Sequence, residues 1–352
     1  MKKKIKLLKK LTEANGVPGQ EKAIRKIMEK ELNNYVTKSY TDKLGSYIGV
    51  KSGVNENVKI MIAGHMDEVG MMVKKIDENG FIKFQTLGGW WGHVLLGQEV
   101  EITTDNGLVI GVIGSTPPHI LAPEARTKVV KPEDMFIDIG VKSKEEIDEL
   151  GIRVGNMITP RSKFEQMANK KYLKAKAFDN RAGCGVAIEA IKKLQKCNNE
   201  IYAVGTVQEE VGLRGAGTAA SKIKPDVAFV VDVTLAGDMP GVSGIEGKLG
   251  EGPMVVLMDA TCLGNKKLID LATDTAKEIG IDVKFEILDK GGTDAGKIHT
   301  YGEGVPTLGF AIPSRYIHSH SSMIHYDDYN NLIKLIVAMS EKIDNEFLKD
   351  IV

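Results

Sequence analysis

Lys59-Ile-Met-Ile-Ala-Gly-His65-Met-Asp67-Glu68-Val-Gly70 is the stretch around which the chain is organised. Its apolar run, Ile60 to Ala63, predicts a short buried strand. The run ends on Gly64, and a histidine and two carboxylates follow at once. In an open α/β sheet, ligands bind beyond the carboxyl ends of the strands. His65 and Asp67 are two apart, so in extended chain they point the same way. Such a pair suits a metal site, where one residue ligates and the other fixes the imidazole ring. The bland alternative is a strand-end His and Asp bonded to each other and to water. The rest of the chain decides between the two.

A length of 352 residues predicts two domains, and 42% hydrophobic content is enough for a large core. The 47 basic and 47 acidic residues balance to zero net charge, which argues against a nucleic-acid or polyanion binder. The 27% of charged residues suits a surface laced with ion pairs. Cys184, Cys197 and Cys262 are odd in number and unpatterned, which fits a reducing compartment. Met1-Lys-Lys-Lys-Ile-Lys lacks the apolar core of a signal peptide. No apolar run approaches the roughly 20 residues of a membrane span. A cytoplasmic protein with no nucleic-acid or membrane partner is expected.

Two helices, 3–14 and 21–35, open the chain around the breaker Asn15-Gly-Val-Pro18-Gly19. Strands follow near 36–41 and 46–51. Beyond Gly70 the texture turns to β. Asn79-Gly80 and Asp105-Asn106-Gly107 each sit between extended runs and predict hairpins. Residues 120–135 read as a loop, 142–150 as a helix capped by Ser143, and 156–160 as extended chain. From 172 strands and helices alternate. Strands fall at 172–177, 201–208, 226–233, 254–258, 283–288 and 307–312. Helices fall at 181–196, 215–222, 266–278 and 295–300, with one closing helix at 327–348. This is an α/β domain in two pieces around a β-rich insertion.

The ends of those strands carry the chemistry. After 172–177 comes Asp179-Asn180-Arg181. After 201–208 come Glu209 and Glu210, and after Val231 comes Asp232. The strand beginning at Thr307 is followed by Ser314-Arg-Tyr-Ile-His318-Ser-His320. With His65 and Asp67, five segments bring a His or a carboxylate to one sheet edge. An Asp after a strand is by itself usually a turn former. So many like charges together repel unless cations compensate them. A pair of divalent metals does this economically, and His/Asp/Glu ligation without sulfur suits zinc, cobalt or manganese.

GHMDEVG, AFDNRAG, VQEEVGLRGA, VVDVT and RYIHSH, in this order, resemble the TET (tetrahedral) aminopeptidase family. That family includes the glutamyl aminopeptidases and belongs to the clan of dinuclear zinc exopeptidases. The resemblance runs essentially end to end. It implies a mixed-sheet catalytic α/β domain of the zinc-exopeptidase kind, residues 1–67 and 166–352. It implies a β-rich dimerisation domain inserted at 68–165. By the same resemblance His65 and Asp232 bind one metal, Glu210 and His318 the other, and Asp179 bridges them. Asp67 orients His65, and Glu209 is the general base. The Asp179–Asn180 peptide is expected to be cis. Short peptides are the expected substrates, and dimers assembling into a tetrahedral dodecamer are the expected quaternary state.

Some residues stay open. His320 has no assigned role. His93, His119, His299 and His325 read as structural. Gly291-Gly-Thr293-Asp294 is either a turn capping the next helix or a wall of the substrate pocket, and Trp90-Trp91 is expected to be exposed. Acidic-specific relatives need a cation in the first pocket, and none can be placed from the sequence, so a neutral or apolar preference is expected. Two other readings compete. One is a metal-independent endoglucanase-type glycosidase using paired carboxylates. The other is an inactive metal-binding scaffold, against which the presence of Glu209 speaks.

Overall fold

The computed structural model describes residues 1–54, 58–194 and 198–351. Cys197 and the end of the helix expected at 181–196 lie outside the described residues. An 11-stranded mixed sheet forms the larger part of the molecule. At its centre Glu200–Thr206, Lys59–His65, Val227–Leu235 and Thr307–Arg315 lie side by side and parallel. These are the β-branched, apolar runs of the sequence, and both faces of each are buried, as parallel strands require. Antiparallel strands flank them: Tyr47–Lys51 beside Glu200–Thr206, and Met254–Met258 and Ser322–His325 against Thr307–Arg315.

Helix Phe178–Lys193 packs across one face of the central strands, and Tyr326–Lys342 packs against that helix. Two short helices, Arg214–Ile223 and Ala295–Ile298, cover the other face. Helix and strand meet with no space to spare at Gly64. A Cβ there would stand 2.6 Å from the backbone of Gly183. A Cβ on Gly183 would in turn meet the Val231 carbonyl at 2.5 Å.

A second, closed sheet is built from strands between Gly70 and Pro160. Its six strands are all antiparallel, and Met157–Pro160 closes the ring onto Gly70–Ile76 and Glu99–Thr104. Met71, Val73, Ile82, Val100, Ile102 and Ile158 fill it. Both expected hairpins form. Gly80 takes φ 84 behind an Asp77 carboxylate that accepts from Asn79 N and Phe81 N. Gly107 takes φ 130 after the two-residue turn Asp105-Asn106.

One expectation needs correction, and two strands fall where the sequence predicts no element. The closing helix is two helices, Tyr326–Lys342 and Asn345–Lys349, because Asp344 is extended and caps the second through Phe347 N. Ser322–His325 is one of the added strands. Phe136–Asp138, just past the loop expected at 120–135, is the other, paired on both sides inside the closed sheet.

Candidate active site

Parallel register brings the strand ends level. Thr206 pairs with His65, and Val230 pairs with Ala63, so Asp232 stands two residues beyond its partner as His65 does. The chain then enters helix Phe178–Lys193 through an irregular first turn. Asp179 and Asn180 are not helical, and the peptide between them is cis. Asn180 Nδ2 donates to the Val231 carbonyl at 2.7 Å, which fastens this turn to the strand that carries Asp232.

All seven expected site residues converge. His65 Nε2 lies 3.1 Å from Asp179 Oδ1 and 3.8 Å from both Glu209 Oε2 and Asp232 Oδ1. His318 Nε2 lies 3.3 Å from Asp179 Oδ2 and 3.4 Å from Glu210 Oε2. Asp179 therefore presents one oxygen to each imidazole. Two metal-capable triads share it: His65–Asp179–Asp232 and Asp179–Glu210–His318, with ligand atoms within 4.8 Å of one another. His318 reaches its place from a left-handed backbone, φ 56.

Asp67 stands beside His65 and also reaches the glutamate pair. Its carboxylate stands 3.6 Å from His65 Nδ1, beyond hydrogen-bond length. The ring nitrogen faces the Asp67 backbone carbonyl at 3.2 Å instead. The carboxylate turns to the glutamate pair: Oδ1 accepts from Glu209 N and Oδ2 from Glu210 N, both at 3.1 Å. Glu209 and Glu210 are also not in a strand, where neighbours would face opposite ways. The strand ends at Thr206, and Gln208 turns through φ 57. Both side chains thereby reach the same cleft.

The electrostatics are those of buried carboxylates crowded around two imidazoles. Burial pushes Glu209 well above the carboxylate range. Burial, and then the charge of Asp179, push Glu210 up to about 8. Asp232 rises to about 8, again chiefly through burial. Burial would lower His318, but its hydrogen bond to Asp179 and the Glu210 charge raise it to about 9. Asp179, against its own burial, is held well below its usual value by hydrogen bonds from both imidazoles. Glu210 Oε1 is buried without a partner. Hard oxygen donors, two imidazoles and an orphaned carboxylate oxygen fit divalent cations.

Behind the cluster lies a buried network that the sequence reading left unassigned. Glu68 Oε1 meets Lys176 Nζ at 3.0 Å and Arg181 Nη2 at 3.1 Å. Arg181, fully buried, also donates to the carbonyls of Leu11, Ala14 and Gly16. Glu68 and Arg181 lie within GHMDEVG and AFDNRAG, but nothing local to either stretch shows that the two meet.

The cleft in front of the cluster holds about 510 Å³. Leu213, Leu235, Leu288 and Ile317 give it apolar walls, and exposed Lys290 sits at its rim. Asp259, also lining it, is saturated by Thr261, Cys262 N and Thr293 Oγ1. Gly291, Gly292 and Thr293 line the cleft, but Asp294 neither lines it nor caps the next helix. It is buried and accepts from Thr206 Oγ1, and burial pushes it up to about 6. Trp91 is exposed as expected, edge-on to His93 with ring centroids 4.4 Å apart. Trp90 is not: its ring packs on the closed sheet and its Nε1 donates to the Gly70 carbonyl. His320 is buried beside Trp90 with both ring nitrogens unpartnered. His299 and His325 serve local backbone contacts, and His119 lies outside the cleft.

Residues 45–335 match the family described as M42 glutamyl aminopeptidase, and residues 2–28 match a shorter one described as AMPT. A lysyl aminopeptidase of Pyrococcus furiosus is 34% identical over 96% of this chain and 96% of its own. A glutamyl aminopeptidase of Lactococcus lactis is 33% identical over 98% of both chains. Among solved structures, a TET aminopeptidase from a marine-sediment Thaumarchaeota archaeon superposes with a TM-score of 0.97 at 41% identity, covering 100% of both chains. TET1 of Pyrococcus horikoshii, described as a dodecamer, superposes at 0.86 with 32% identity, covering 96% of this chain and 99% of that one.

Proposed function

This chain belongs to the M42 glutamyl aminopeptidase family of metal-dependent peptide hydrolases, and on that premise we propose that it removes single residues from the N-termini of short peptides with two bound divalent cations. The observation that carries the count of two is Asp179, which offers one carboxylate oxygen to each imidazole and belongs to both triads. His65 and Asp232 would hold one cation, Glu210 and His318 the other, and Asp179 would be shared between them. Zinc or cobalt suits the donors best, and manganese is tolerated. When bound, such a pair polarises the scissile carbonyl and lowers the pKa of a nucleophilic water. Glu209 takes the proton of the attacking water and delivers it to the leaving amine. The raised proton affinity that burial gives Glu209 suits a group that must both accept and release. Asp67 holds Glu209 and Glu210 in place through their amides. The carboxylate surplus attracts an ammonium group, which favours substrates with a free N-terminus. The apolar cleft walls favour a neutral or apolar first side chain.

Residues 1–67 and 166–352 form the catalytic unit in this reading, and 68–165 the dimerisation unit. Leu108, Ile110 and Val112 support the second assignment. They alternate along Gly107–Gly114 and are 58%, 50% and 44% exposed. Such an apolar stripe marks an interaction face. Six dimers building a tetrahedral dodecamer would confine the sites and select short or unfolded peptides; the Pyrococcus horikoshii relative is described as a dodecamer and as assembling into a tetrahedron or a large octahedral shell. A cytoplasmic location accords with the free, buried Cys184 and Cys262. Among the described residues, no helix is long and apolar enough to cross a membrane. The glycosidase alternative falls with the family, whose relatives are peptidases.

Chelated protein reconstituted with zinc, cobalt or manganese, and offered peptides with free or acetylated N-termini, tests the proposal. Stepwise release from free N-termini, lost on chelation and regained with metal, is expected. Internal cleavage, or equal rates on acetylated peptides, would overturn it.

A further inference from the structure

Three consecutive peptide N–H groups lead through the glutamate pair, and each ends on a carboxylate oxygen. The amides of Glu209 and Glu210 donate to Asp67. The amide of Gln208 donates to Glu21 Oε1 at 3.1 Å, and the same oxygen accepts from Gly19 N at 2.6 Å. Glu21 is 4% exposed and lies at the start of helix Lys22–Leu32, yet its side chain makes no capping bond to that helix. Its carboxylate is directed to the Gln208 turn. Gln208 holds φ 57, a conformation that a non-glycine residue keeps only where its surroundings enforce it.

We propose that Glu21 is a positioning residue of the hydrolytic reaction: by fixing the Gln208 amide it holds the left-handed turn that sends Glu209 and Glu210 into one cleft. The proposal rests on the peptidase reading of the site. Without that turn the two glutamates would continue a strand and face opposite sides. Asp67 grips the amides of 209 and 210 only after the chain has turned, whereas Glu21 acts one residue earlier. The role requires an oxygen acceptor at the right reach, not a charge. Glutamine therefore serves, aspartate falls one methylene short, and alanine offers nothing.

The test compares Glu21→Gln, Glu21→Asp and Glu21→Ala by peptide kinetics, metal content and hydrogen–deuterium exchange of residues 207–211 in metal-free protein. Glu21→Asp and Glu21→Ala are expected to lower kcat by about 10- to 100-fold, the scale of a small misplacement of a reacting group. KM should stay within about twofold, because binding of substrate is not what changes. Exchange at 208–210 should accelerate, and any metal lost should be only the one cation that Glu210 helps to hold. Glu21→Gln should stay within about threefold of wild type on every readout, since it keeps the acceptor oxygen. Adding Gln208→Gly to Glu21→Ala should recover about fivefold or more in kcat, because glycine adopts the turn without help. A merely structural role would show neither the glutamine rescue nor the glycine rescue. Wild-type kcat in Glu21→Asp, a loss in Glu21→Gln equal to that in Glu21→Asp, or loss of both metals alongside kcat would overturn the proposal. Should Glu21→Ala fail to fold, Glu21→Asp against Glu21→Gln decides. An inactive metal-loaded wild type would sink the peptidase reading, and the exchange data would still judge Glu21.

Discussion

Arg181→Met tests whether the buried network under the site is a fastening of the fold. Methionine keeps much of the stem volume, so packing is largely retained. What is lost is four hydrogen bonds: to Leu11, Ala14 and Gly16 carbonyls at 2.7, 2.7 and 3.1 Å, and to Glu68 Oε1 at 3.1 Å. The Gly16 carbonyl keeps the Glu68 amide at 3.0 Å; the two carbonyls left unmet, of Leu11 and Ala14, cost about 1 kcal/mol each at the low end, and the charge-assisted bond to Glu68 about 2. Two effects reduce the loss. Glu68 keeps Lys176 and the Gly16 amide. The Arg181 Nε is itself buried without a partner, and the substitution removes that cost of about 1 kcal/mol. About 3 kcal/mol remains, in line with the roughly 3–5 kcal/mol for breaking a buried pair. At about 2.1 cal/mol/K per residue, 352 residues give an unfolding entropy of about 0.74 kcal/mol/K, so Tm should fall by about 4 °C. Scanning calorimetry of metal-free protein, with scan rate and concentration matched to wild type, reads this directly. A fall of less than about 1.5 °C, roughly 1 kcal/mol on that entropy, would refute the reasoning.

Glu210→Gln should lose one metal by elemental analysis, while Glu209→Gln keeps both and loses about 10²- to 10⁴-fold in kcat with little change in KM; the reverse pattern would exchange their roles. Ile110→Lys on the exposed stripe should shift light-scattering mass from the large assembly toward monomer, and an unchanged mass would remove this strand from the interface. Arg315 holds Asp238 below the carboxylate range through bonds at 3.0 and 2.6 Å, so the pair stabilises above the ordinary carboxylate pKa of about 4 and fades as pH falls through the depressed native value. Asp238→Asn should therefore lower the urea midpoint at pH 6 but much less at pH 3; an equal loss at both would contradict this.

Much of the site was readable because its residues sit at the ends of apolar runs. Ile60–Ala63 announced a buried strand, and the polar cluster after it could only lie at that strand's end. The hairpins were readable for a similar local reason: Asn79-Gly80 and Asn106-Gly107 supply the positive φ that such turns need. What stayed hidden depends on partners distant in sequence. Ser322–His325 has no apolar pattern of its own and is a strand because Tyr172–Ala175 and Arg315 pair with it. That Glu209 and Glu210 face one cleft, and not opposite sides as in a continued strand, has no local signal, because nothing nearby marks a left-handed glutamine; Glu21 and Asp67, far away in the chain, hold the turn. Asp344, by contrast, carried a local cap signal that the long apolar pattern of the closing helix obscured.

The contact between Gly64 and Gly183 has a consequence for how such an enzyme can diversify. With backbone against backbone there, helix Phe178–Lys193 cannot be shimmed away from the strand by any side chain. Asp179, at the head of that helix, is thereby set at a distance from His65 and Asp232 that substitution cannot retune without breaking the packing. The far walls of the cleft, around Leu213, Leu288, Lys290 and Ile317, are loops with no such restraint. A designer wishing to change which side chain the cleft accepts has those loops as free variables, while the spacing that governs the cations is a constant of the scaffold.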